Sequence, residues 1–537
     1  MTHRASFLLS LCLAIPLTGI PGSTASAQDT TIPQLVTPHR QTASFAERTL
    51  SYDITANVPY DAVSDVPWVT VKPREGGVYV FLAENPTFDS REAHITFSNA
   101  ELGITQTLTL QQGGNENELV RYFRTAIANY GAADYTGGEP LTAETIAQAR
   151  DSIWSAWRLA NTTTKEQKLI ELTTLSANTK GSWTIPSGWP EAGQSMAYYY
   201  GSRGTKPAAG YPLFLYIHGS GDPDGEFATS LNFSLNMDTA PSVHFAPRIP
   251  QTGQWYRWYQ QSKQWAWEQL LRQVMVSGVI DPDRLYILGI SEGGYGGQRL
   301  ASFYADYWAA AGPMAGGEPL KNAPAENLRN TAFSLRTGSL DTDFSRNILT
   351  GYTRDALDSL RALHPDGYVH WVNLEEGRGH GIDYYTTPVW LKKYTRNARP
   401  LKVTWEDYDM DGRRRKGFHN LEVLEVPNPN YRTRYDEVIE DNTVTITVQS
   451  LDYTTTETIE GIETRFERTY FTPRVGSFRV YLNEDMVDFT APVRIIVNGK
   501  EKFNGLLQPD VRHMANSTRL FFDPRRIFPA AVDVSLN

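Results

Sequence analysis

The strongest constraint on the fold is a serine set among glycines, between an apolar run and a helix-like pattern, in LYILGISEGGYGGQRLASFYAD (residues 285–306). The apolar run 285–288 is typical of a strand buried on both faces of a parallel sheet. Gly289, Ser291 and Gly293 then form a GxSxG turn, in which glycine is favoured on both sides because larger side chains would clash at a tight strand-to-helix corner. The pattern predicts an α/β fold with Ser291 exposed at the tip of this corner.

A serine hydroxyl becomes a good nucleophile only when a base takes its proton and a third group holds that base in the right tautomer. GRGHGID places His380 in a glycine-flanked loop after the strand-like YVHWVNLEEG. SLRTGSLDTD offers Asp341 and Asp343 as the third group, between the serine and the histidine. Either aspartate could instead cap the helix pattern that follows it.

Residues 183–396 alternate strand-like and helix-like patterns, which is typical of a mainly parallel sheet covered by helices on both faces. Together with the GxSxG turn, this region resembles an α/β-hydrolase of the esterase kind. The resemblance implies Ser291 as nucleophile, Asp341 as acid and His380 as base. The family spacing of the acid after a strand and a glycine favours Asp341, and Asp343 stays the alternative.

The oxyanion loop of that family matches HGSGD, which begins at His218 after the strand-like PLFLYI. The resemblance implies that two backbone amides stabilise the negative oxygen of the transition state. One is the amide of Glu292, which then acts through its backbone rather than its carboxylate. The other is the amide of Gly219, Ser220 or Gly221.

Four tryptophans lie between this loop and the nucleophile, in QWYRWYQQSKQWAW. In the hydrolase fold this region commonly borders the mouth of the active site. Trp255 and Trp258 are therefore candidate substrate-binding residues that could stack on a sugar ring or an aromatic acid. Their spacing fits core packing equally well.

The segment WEDYDMDGRRRKGF resembles the start of a calcium loop, with Asp407, Asp409 and Asp411. Phe418 stands where a bidentate glutamate is expected, so we interpret the segment as a charged turn without a metal. The basic residues 413–416 are expected to form a solvated hairpin end. No cofactor is implied, since this hydrolysis needs only side chains and water.

The first 27 residues have a short basic start, an apolar run and small residues before the end, as in a cleaved secretory signal peptide. The single cysteine, Cys12, lies inside it, so we expect a mature chain without disulfides. We also expect a periplasmic or secreted protein without a membrane span. The net charge of −10 disfavours nucleic acid as a partner.

A chain of 537 residues is too long for one core, so several domains are expected. We expect a linker over 28–45, a β-sandwich over 46–114 and a helical segment over 115–182. Residues 397–537 return to strand patterns, which predicts a C-terminal β domain with a hairpin turn at Asn498 and Gly499. The fold class is therefore an α/β-hydrolase core flanked by two β domains.

The β-sandwich segment resembles the BACON domain, a module common at the front of secreted glycan-utilisation proteins of gut bacteria. Matching positions are Asn57, Pro59, Trp68, Asn85, Arg91 and Gln111. This resemblance favours an esterified polysaccharide as substrate. That inference rests only on which domain accompanies the hydrolase region, which is an association and not a mechanism.

The sequence therefore predicts a secreted serine hydrolase that cleaves carboxylic esters through an acyl-enzyme. A small-molecule or polysaccharide ester is the expected partner, with an acetyl or feruloyl group favoured. Three alternatives stay open. One is a serine peptidase using the same three side chains, and another is a glycan-binding protein with an inactive hydrolase core. The third is a lipase, although we identify no apolar mouth or lid in the sequence.

Overall fold

The computed structural model divides the chain into two compact units, Met1–Glu116 and Asn117–Asn537. The expected signal peptide and Cys12 lie outside the described residues. The structure describes residues 33–46, 48–85, 90–114, 117–129, 132–250 and 257–537.

The described part of the first unit is built of short strands in three sheets. Their orders are β1-β4, β2-β9-β8-β5 and β3-β7-β6. Residues of β7 and β8 alternate between a buried apolar face and a more exposed face, as period-two patterns predict. The strands are β1 Leu35–Val36, β2 Arg40–Ala43, β3 Arg48–Asp53, β4 Thr55–Ala56, β5 Asp61–Ser64, β6 Val69–Arg74, β7 Gly77–Leu82, β8 Arg91–Asn99 and β9 Ile104–Gln112.

The second unit begins with two helices, α1 Glu118–Ala128 and α2 Ile146–Thr163. The Asn117 side chain caps α1 by accepting hydrogen bonds from the first-turn amides. Buried residues on α2 include Ile153 and Trp157, so its apolar face packs inward.

An eight-stranded mixed sheet forms the centre of this unit, in the order β10-β11-β13-β12-β14-β15-β16-β17. β11 runs antiparallel to both neighbours, whereas every pairing from β13 to β17 is parallel. The strands are β10 Lys180–Thr184, β11 Ser195–Arg203, β12 Tyr211–Ile217, β13 Ser242–Pro247, β14 Ile280–Ile290, β15 Ala310–Met314, β16 Ala332–Gly338 and β17 His370–Glu375.

Helices cover both faces of the central sheet. In β12, Leu213 and Leu215 join one apolar cluster with α4 and α5, whereas Phe214 and Tyr216 join a second cluster with α3 and α7. The prediction of parallel strands buried on both faces is confirmed for this strand. The helices are α3 Pro223–Asn236, α4 Gln261–Val276, α5 Glu292–Phe303, α6 Arg346–Leu363 and α7 Thr386–Leu391, with short 3-10 helices at Ala325–Leu328 and Asp343–Ser345.

The C-terminal strands form a six-stranded and a four-stranded sheet within the same compact unit as the central sheet. The predicted hairpin turn is confirmed: Asn498 and Gly499 have φ values of 49° and 76° and join two paired strands. The division of this unit into domains 115–182, 183–396 and 397–537 stays a prediction. The elements are β18 Lys402–Asp407, β19 Gly417–Phe418, β20 Leu421–Glu425, β21 Arg432–Glu440, β22 Thr443–Ile459, β23 Ile462–Phe471, β24 Ser477–Leu482, β25 Val493–Val497, β26 Lys500–Gly505, α8 Val511–Phe521 and β27 Ala530–Ser535.

The basic run in this region differs from its prediction. Arg413, Arg414 and Arg415 form ion pairs and are mostly covered, with side chains 20%, 20% and 10% exposed. The expectation of a solvated hairpin end is therefore wrong for these three arginines. Their carboxylate partners lie far away in the sequence or on the preceding strand, and a local pattern does not identify them.

In the described part of the chain, no helix is long and apolar enough to cross a membrane.

Candidate active site

Ser291 lies between the end of β14 and the start of α5, with φ 58° and ψ −113°. This strained backbone conformation turns the chain sharply from strand to helix. A Cβ atom on Gly289 would lie 2.2 Å from the Gly293 carbonyl oxygen, and one on Gly293 would lie 2.0 Å from that of Ile217. The glycines are thus required by close backbone contact, as the sequence pattern predicted.

The structure brings Ser291, His380 and Asp341 together. The Ser291 Oγ lies 3.1 Å from the His380 Nε2, and the His380 Nδ1 lies 2.8 Å from the Asp341 Oδ2. Asp343 is exposed in a 3-10 helix, whereas Asp341 is buried behind the imidazole. With Nδ1–H donating to the carboxylate, Nε2 is left to accept a hydrogen bond from the serine hydroxyl.

Parallel strand topology explains why residues so far apart in sequence meet here. Ser291 follows β14, Asp341 follows β16 and His380 follows β17. These strands run parallel in the order β14-β15-β16-β17, so their carboxyl ends lie at the same edge of the sheet. Open parallel sheets characteristically form their functional sites outside this edge.

Arg346 holds the second oxygen of Asp341, a contact that the sequence analysis missed. Its Nη1 donates to the Asp341 Oδ1 at 2.9 Å, and its Nε donates to the Tyr295 hydroxyl at 2.8 Å. Both carboxylate oxygens therefore have donors, which fixes the carboxylate plane behind His380. Arg346 is the first residue of α6, and nothing in its local pattern distinguishes it from an ordinary helical arginine.

His218 shapes the predicted oxyanion loop from inside the core. Its Nδ1–H donates to the Gly219 carbonyl oxygen at 2.7 Å, and its Nε2 accepts from the Ile249 amide at 3.2 Å. Burial lowers the pKa of His218 to about 4, so the ring is neutral at pH 7 and can fill both roles. The histidine thus supports the loop structurally.

The loop lies directly against the serine. A Cβ atom on Gly219 would lie 3.4 Å from the Ser291 Cβ. The Gly221 amide donates to the Glu226 side chain at 3.2 Å, so this amide already has an acceptor. Of the three predicted candidates for the second oxyanion donor, Gly219 and Ser220 are therefore better placed than Gly221.

Glu292 is the first residue of α5, so its amide has no intrahelical carbonyl to bond. Its carboxyl group is buried, and the Oε2 accepts from the Arg257 Nη1 at 3.0 Å. Burial raises the pKa of Glu292 to about 8, and the Arg257 charge opposes that shift. The carboxyl group is thus not a solvated charge.

Two cavities open on either side of Ser291. The first, which we call the catalytic cavity, has a volume of about 430 Å³. The second, of about 570 Å³, is bordered by His380 and the oxyanion loop. Open space is therefore present on both sides of the serine. Charged residues that line the catalytic cavity are Arg257, Arg299, Arg346, Glu292 and Glu318.

Trp258 does not contact either cavity, and its prediction as a substrate-binding residue is wrong. The side chain is fully buried, and its Nε1 donates to the His218 carbonyl oxygen at 2.9 Å. Trp258 therefore supports the oxyanion loop from behind. Trp255 lies outside the described residues.

The aspartates of the calcium-like segment each have protein partners. Asp407 pairs with Arg414, and the carboxylates of Asp409 and Asp411 accept hydrogen bonds from backbone amides. Within the ranges that the structure describes, no three histidine, cysteine or carboxylate side chains are grouped to hold a metal ion.

No family model matches this chain. No curated protein matches it. The resemblance to the BACON domain stays a prediction.

Solved esterases are similar to parts of the chain. A thermostable esterase is 15% identical, with 66% of this chain and 99% of that chain covered and a TM-score of 0.33. A ferulic acid esterase from Anaeromyces mucronatus is 13% identical, with coverages of 43% and 93% and a TM-score of 0.31. An acetyl xylan esterase from Aspergillus awamori is 12% identical, with coverages of 39% and 96% and a TM-score of 0.29. At such low TM-scores these similarities decide nothing about function.

Proposed function

We propose that this chain is a serine hydrolase of the α/β-hydrolase type that cleaves carboxylic esters through an acyl-enzyme. The observation that carries this proposal is the hydrogen-bonded chain from the Ser291 hydroxyl through His380 to Asp341, with distances of 3.1 and 2.8 Å. The strained strand-to-helix turn that exposes the serine supports it independently.

In the first step, the Ser291 Oγ attacks the ester carbonyl carbon while the His380 Nε2 takes its proton. Asp341 accepts a hydrogen bond from Nδ1 and stabilises the imidazolium that forms. The amides of Glu292 and of Gly219 or Ser220 donate to the negative oxygen of the tetrahedral intermediate.

Collapse of that intermediate breaks the bond to the alcohol oxygen, which leaves with the proton held by His380. A water molecule then attacks the acyl group on Ser291, and His380 takes the proton of this water. The second tetrahedral intermediate releases the carboxylic acid and returns the proton to Ser291. The cycle needs no group beyond these side chains, the amides and water.

An esterified glycan is the substrate class that we favour, with an acetyl or feruloyl group on the sugar. The signal-peptide pattern and the BACON-like segment support a periplasmic or secreted protein in glycan utilisation, by association alone.

Hydrolysis of a substrate panel by the wild type and by Ser291→Ala tests the proposal. The panel contains nitrophenyl acetate, methyl ferulate, acetylated xylan and a prolyl anilide. We expect ester turnover by the wild type and its loss in a folded Ser291→Ala variant. Anilide turnover alone would indicate a peptidase, and an inactive wild type would favour the glycan-binding alternative.

A further inference from the structure

A long hairpin of the C-terminal sheet reaches the catalytic cavity. We call residues 452–469 of this hairpin the arm. The strands β22 and β23 are joined at Glu460 and Gly461, whose φ values of 49° and 81° are those of a type I′ turn. Next to this turn, Ile462 lines the catalytic cavity.

The arm is a two-stranded ribbon held by contacts with the central part of the unit. β22 pairs with β21 only up to Leu451, and beyond that residue its strand partner is β23. A two-stranded ribbon alone is marginally stable in water. The arm therefore depends on the surface against which it lies.

That surface consists of α6 and the loop after β15. The Tyr352 hydroxyl on α6 donates to the Glu457 Oε2 at 2.9 Å. The Lys321 Nζ in the loop lies 3.2 Å from the Glu463 Oε2. Arg465 places its guanidinium 4.1 Å from the centre of the Tyr352 ring. These contacts hold the arm beside the elements that border the catalytic cavity.

A further cavity, which we call the arm cavity, lies along the same three elements and has a volume of about 560 Å³. The loop, α6 and the arm contribute Pro319, Leu349 and Ile462 to the catalytic cavity. The same three elements contribute Leu320, Tyr352 and Thr464 to the arm cavity, and these residues lie only one to three positions further along the chain. The arm cavity therefore adjoins the catalytic cavity along the arm.

The lining of the arm cavity combines aromatic rings with polar groups. Partly buried rings provide the apolar part of the lining, with Arg465 over the Tyr352 ring and Arg432 and Arg468 over the Tyr453 ring. Exposed polar side chains offer hydrogen-bond donors and acceptors beside them. A sugar ring presents both C–H faces and hydroxyl groups, so it matches this lining, whereas an acyl chain would leave the polar groups without partners. The rings are those of Tyr352, Tyr453 and Phe466, and the polar side chains are those of Asp355, Thr456 and Arg465.

We propose that the arm cavity is a glycan-binding subsite. It holds sugar residues that adjoin the esterified sugar while the ester carbonyl lies at Ser291. This inference rests on the proposed esterase function and adds to it the preference for a polymeric or oligomeric substrate. A small ester occupies only the cavities beside Ser291 and gains nothing from the arm.

Phe466→Ala tests the subsite, with Arg465→Ala as a second variant that keeps the Phe466 ring and removes the guanidinium beside Tyr352. The control is Tyr470→Ala, since Tyr470 is 40% exposed on the same strand and does not line the arm cavity. The measurement is kcat/KM for acetylated xylan and for nitrophenyl acetate, with thermal unfolding to check the fold.

Loss of one ring contact should lower kcat/KM for acetylated xylan about fivefold to tenfold, mainly through KM. The value for nitrophenyl acetate should stay unchanged, and the control should change neither.

Equal losses on both substrates in folded variants would overturn the subsite, since the arm would then only shape the catalytic cavity. Unchanged kcat/KM for acetylated xylan in both variants would also overturn it. A wild type that hydrolyses nitrophenyl acetate but not acetylated xylan would overturn the glycan subsite and leave the esterase proposal intact. A wild type that hydrolyses no ester would remove the esterase proposal, and with it the subsite.

Discussion

Asp341 and Asp343 are two residues apart, yet only Asp341 lies where it can orient His380. Asp341 is 3% exposed and has donors on both carboxylate oxygens, whereas Asp343 is exposed. The structural placement therefore favours the first of the two aspartates that the sequence left open.

We predict that Asp341→Asn lowers kcat for nitrophenyl acetate by about 10⁴-fold, because the amide cannot hold the imidazole in the required tautomer. Steady-state kinetics of the purified variants measure this. Asp343→Asn is the matched control and should stay within about twofold of the wild type, since surface changes away from the site have small effects. Equal losses in both variants would contradict the assignment.

Site residues could be predicted where local turn geometry or position in the sequence requires them. They could not be predicted where a contact with a residue far away in the sequence determines their role. Gly289 and Gly293 follow from the geometry of the turn, and His380 from its loop and position. Arg346 and Arg257 were missed because their partners depend on how α6 and α5 are packed, which local spacing does not encode. Trp258 was misassigned because an aromatic in a helical pattern does not reveal which face it occupies.

At the scale of secondary structure, the turn at Ser291 depends on backbone contact between three elements. Gly293 in α5 lies against the end of β12, and Gly289 in β14 lies against α5. Cβ atoms at either position would force these elements apart.

We predict that Gly293→Ala destabilises the protein by about 1–3 kcal/mol or more, as overpacking does. Gly351→Ala is the control, because Gly351 lies in α6 with open space around its Cβ position. That substitution should raise the free energy of unfolding by about 0.5–1 kcal/mol, since alanine favours a helix. Urea unfolding measures both, and a neutral Gly293→Ala would refute the close contact.

Strands such as β12 and β14 were predictable because continuous apolar runs mark parallel strands buried on both faces. The order of the eight strands was not predicted, since each pairing joins segments far apart in the chain. The arm was not predicted either, because its proposed role depends on the surface that it contacts. The sequence pattern of its strands does not indicate that surface.

At the scale of the whole second unit, buried ion pairs join the C-terminal segment to the central part. Asp306 follows α5, is fully buried and pairs with Arg415 at 2.9 Å and Arg526 at 2.5 Å. The sequence analysis predicted that the basic run containing Arg415 is exposed to solvent. The sequence near Arg415 does not show that its partner is a buried carboxylate far away in the chain. The C-terminal segment is thus tied to the central sheet by charges as well as apolar packing.

Asp306→Ala should lower the free energy of unfolding by about 3–5 kcal/mol, because it leaves the buried guanidinium of Arg415 without a carboxylate and that of Arg526 with Asp523 alone. The control is Glu501→Ala, which removes an exposed pair with Arg494 and should leave Tm unchanged. Thermal and urea unfolding compare the variants. Similar Tm values for Asp306→Ala and the control would contradict the role of this pair.

Buried carboxyl groups also predict how stability depends on pH. Burial raises the pKa of Glu437 to about 7, and its Asn420 partner only partly opposes this. The folded state therefore binds more protons than the unfolded state between about pH 4.5 and pH 7, so this group's stabilising contribution is lost as pH rises through that window. Glu292, with its pKa raised to about 8, acts in the same direction.

We predict that Glu437→Gln makes the protein more stable than the wild type at pH 8 and changes it little at pH 4.5, because glutamine mimics the neutral carboxyl group. Urea unfolding across this pH range measures the difference. A wild type and a variant with parallel pH profiles would show that Glu437 does not titrate in this window.

The measurement that tests the central claim most directly is labelling of the folded protein by a fluorophosphonate, followed by mass spectrometry of its peptides. Such a reagent phosphonylates only an activated serine Oγ and releases fluoride. The proposed site predicts one modified residue, Ser291, with labelling abolished in Ser291→Ala and strongly slowed in His380→Ala. A label on another serine, or none on the active wild type, would contradict the assignment of Ser291 as the nucleophile.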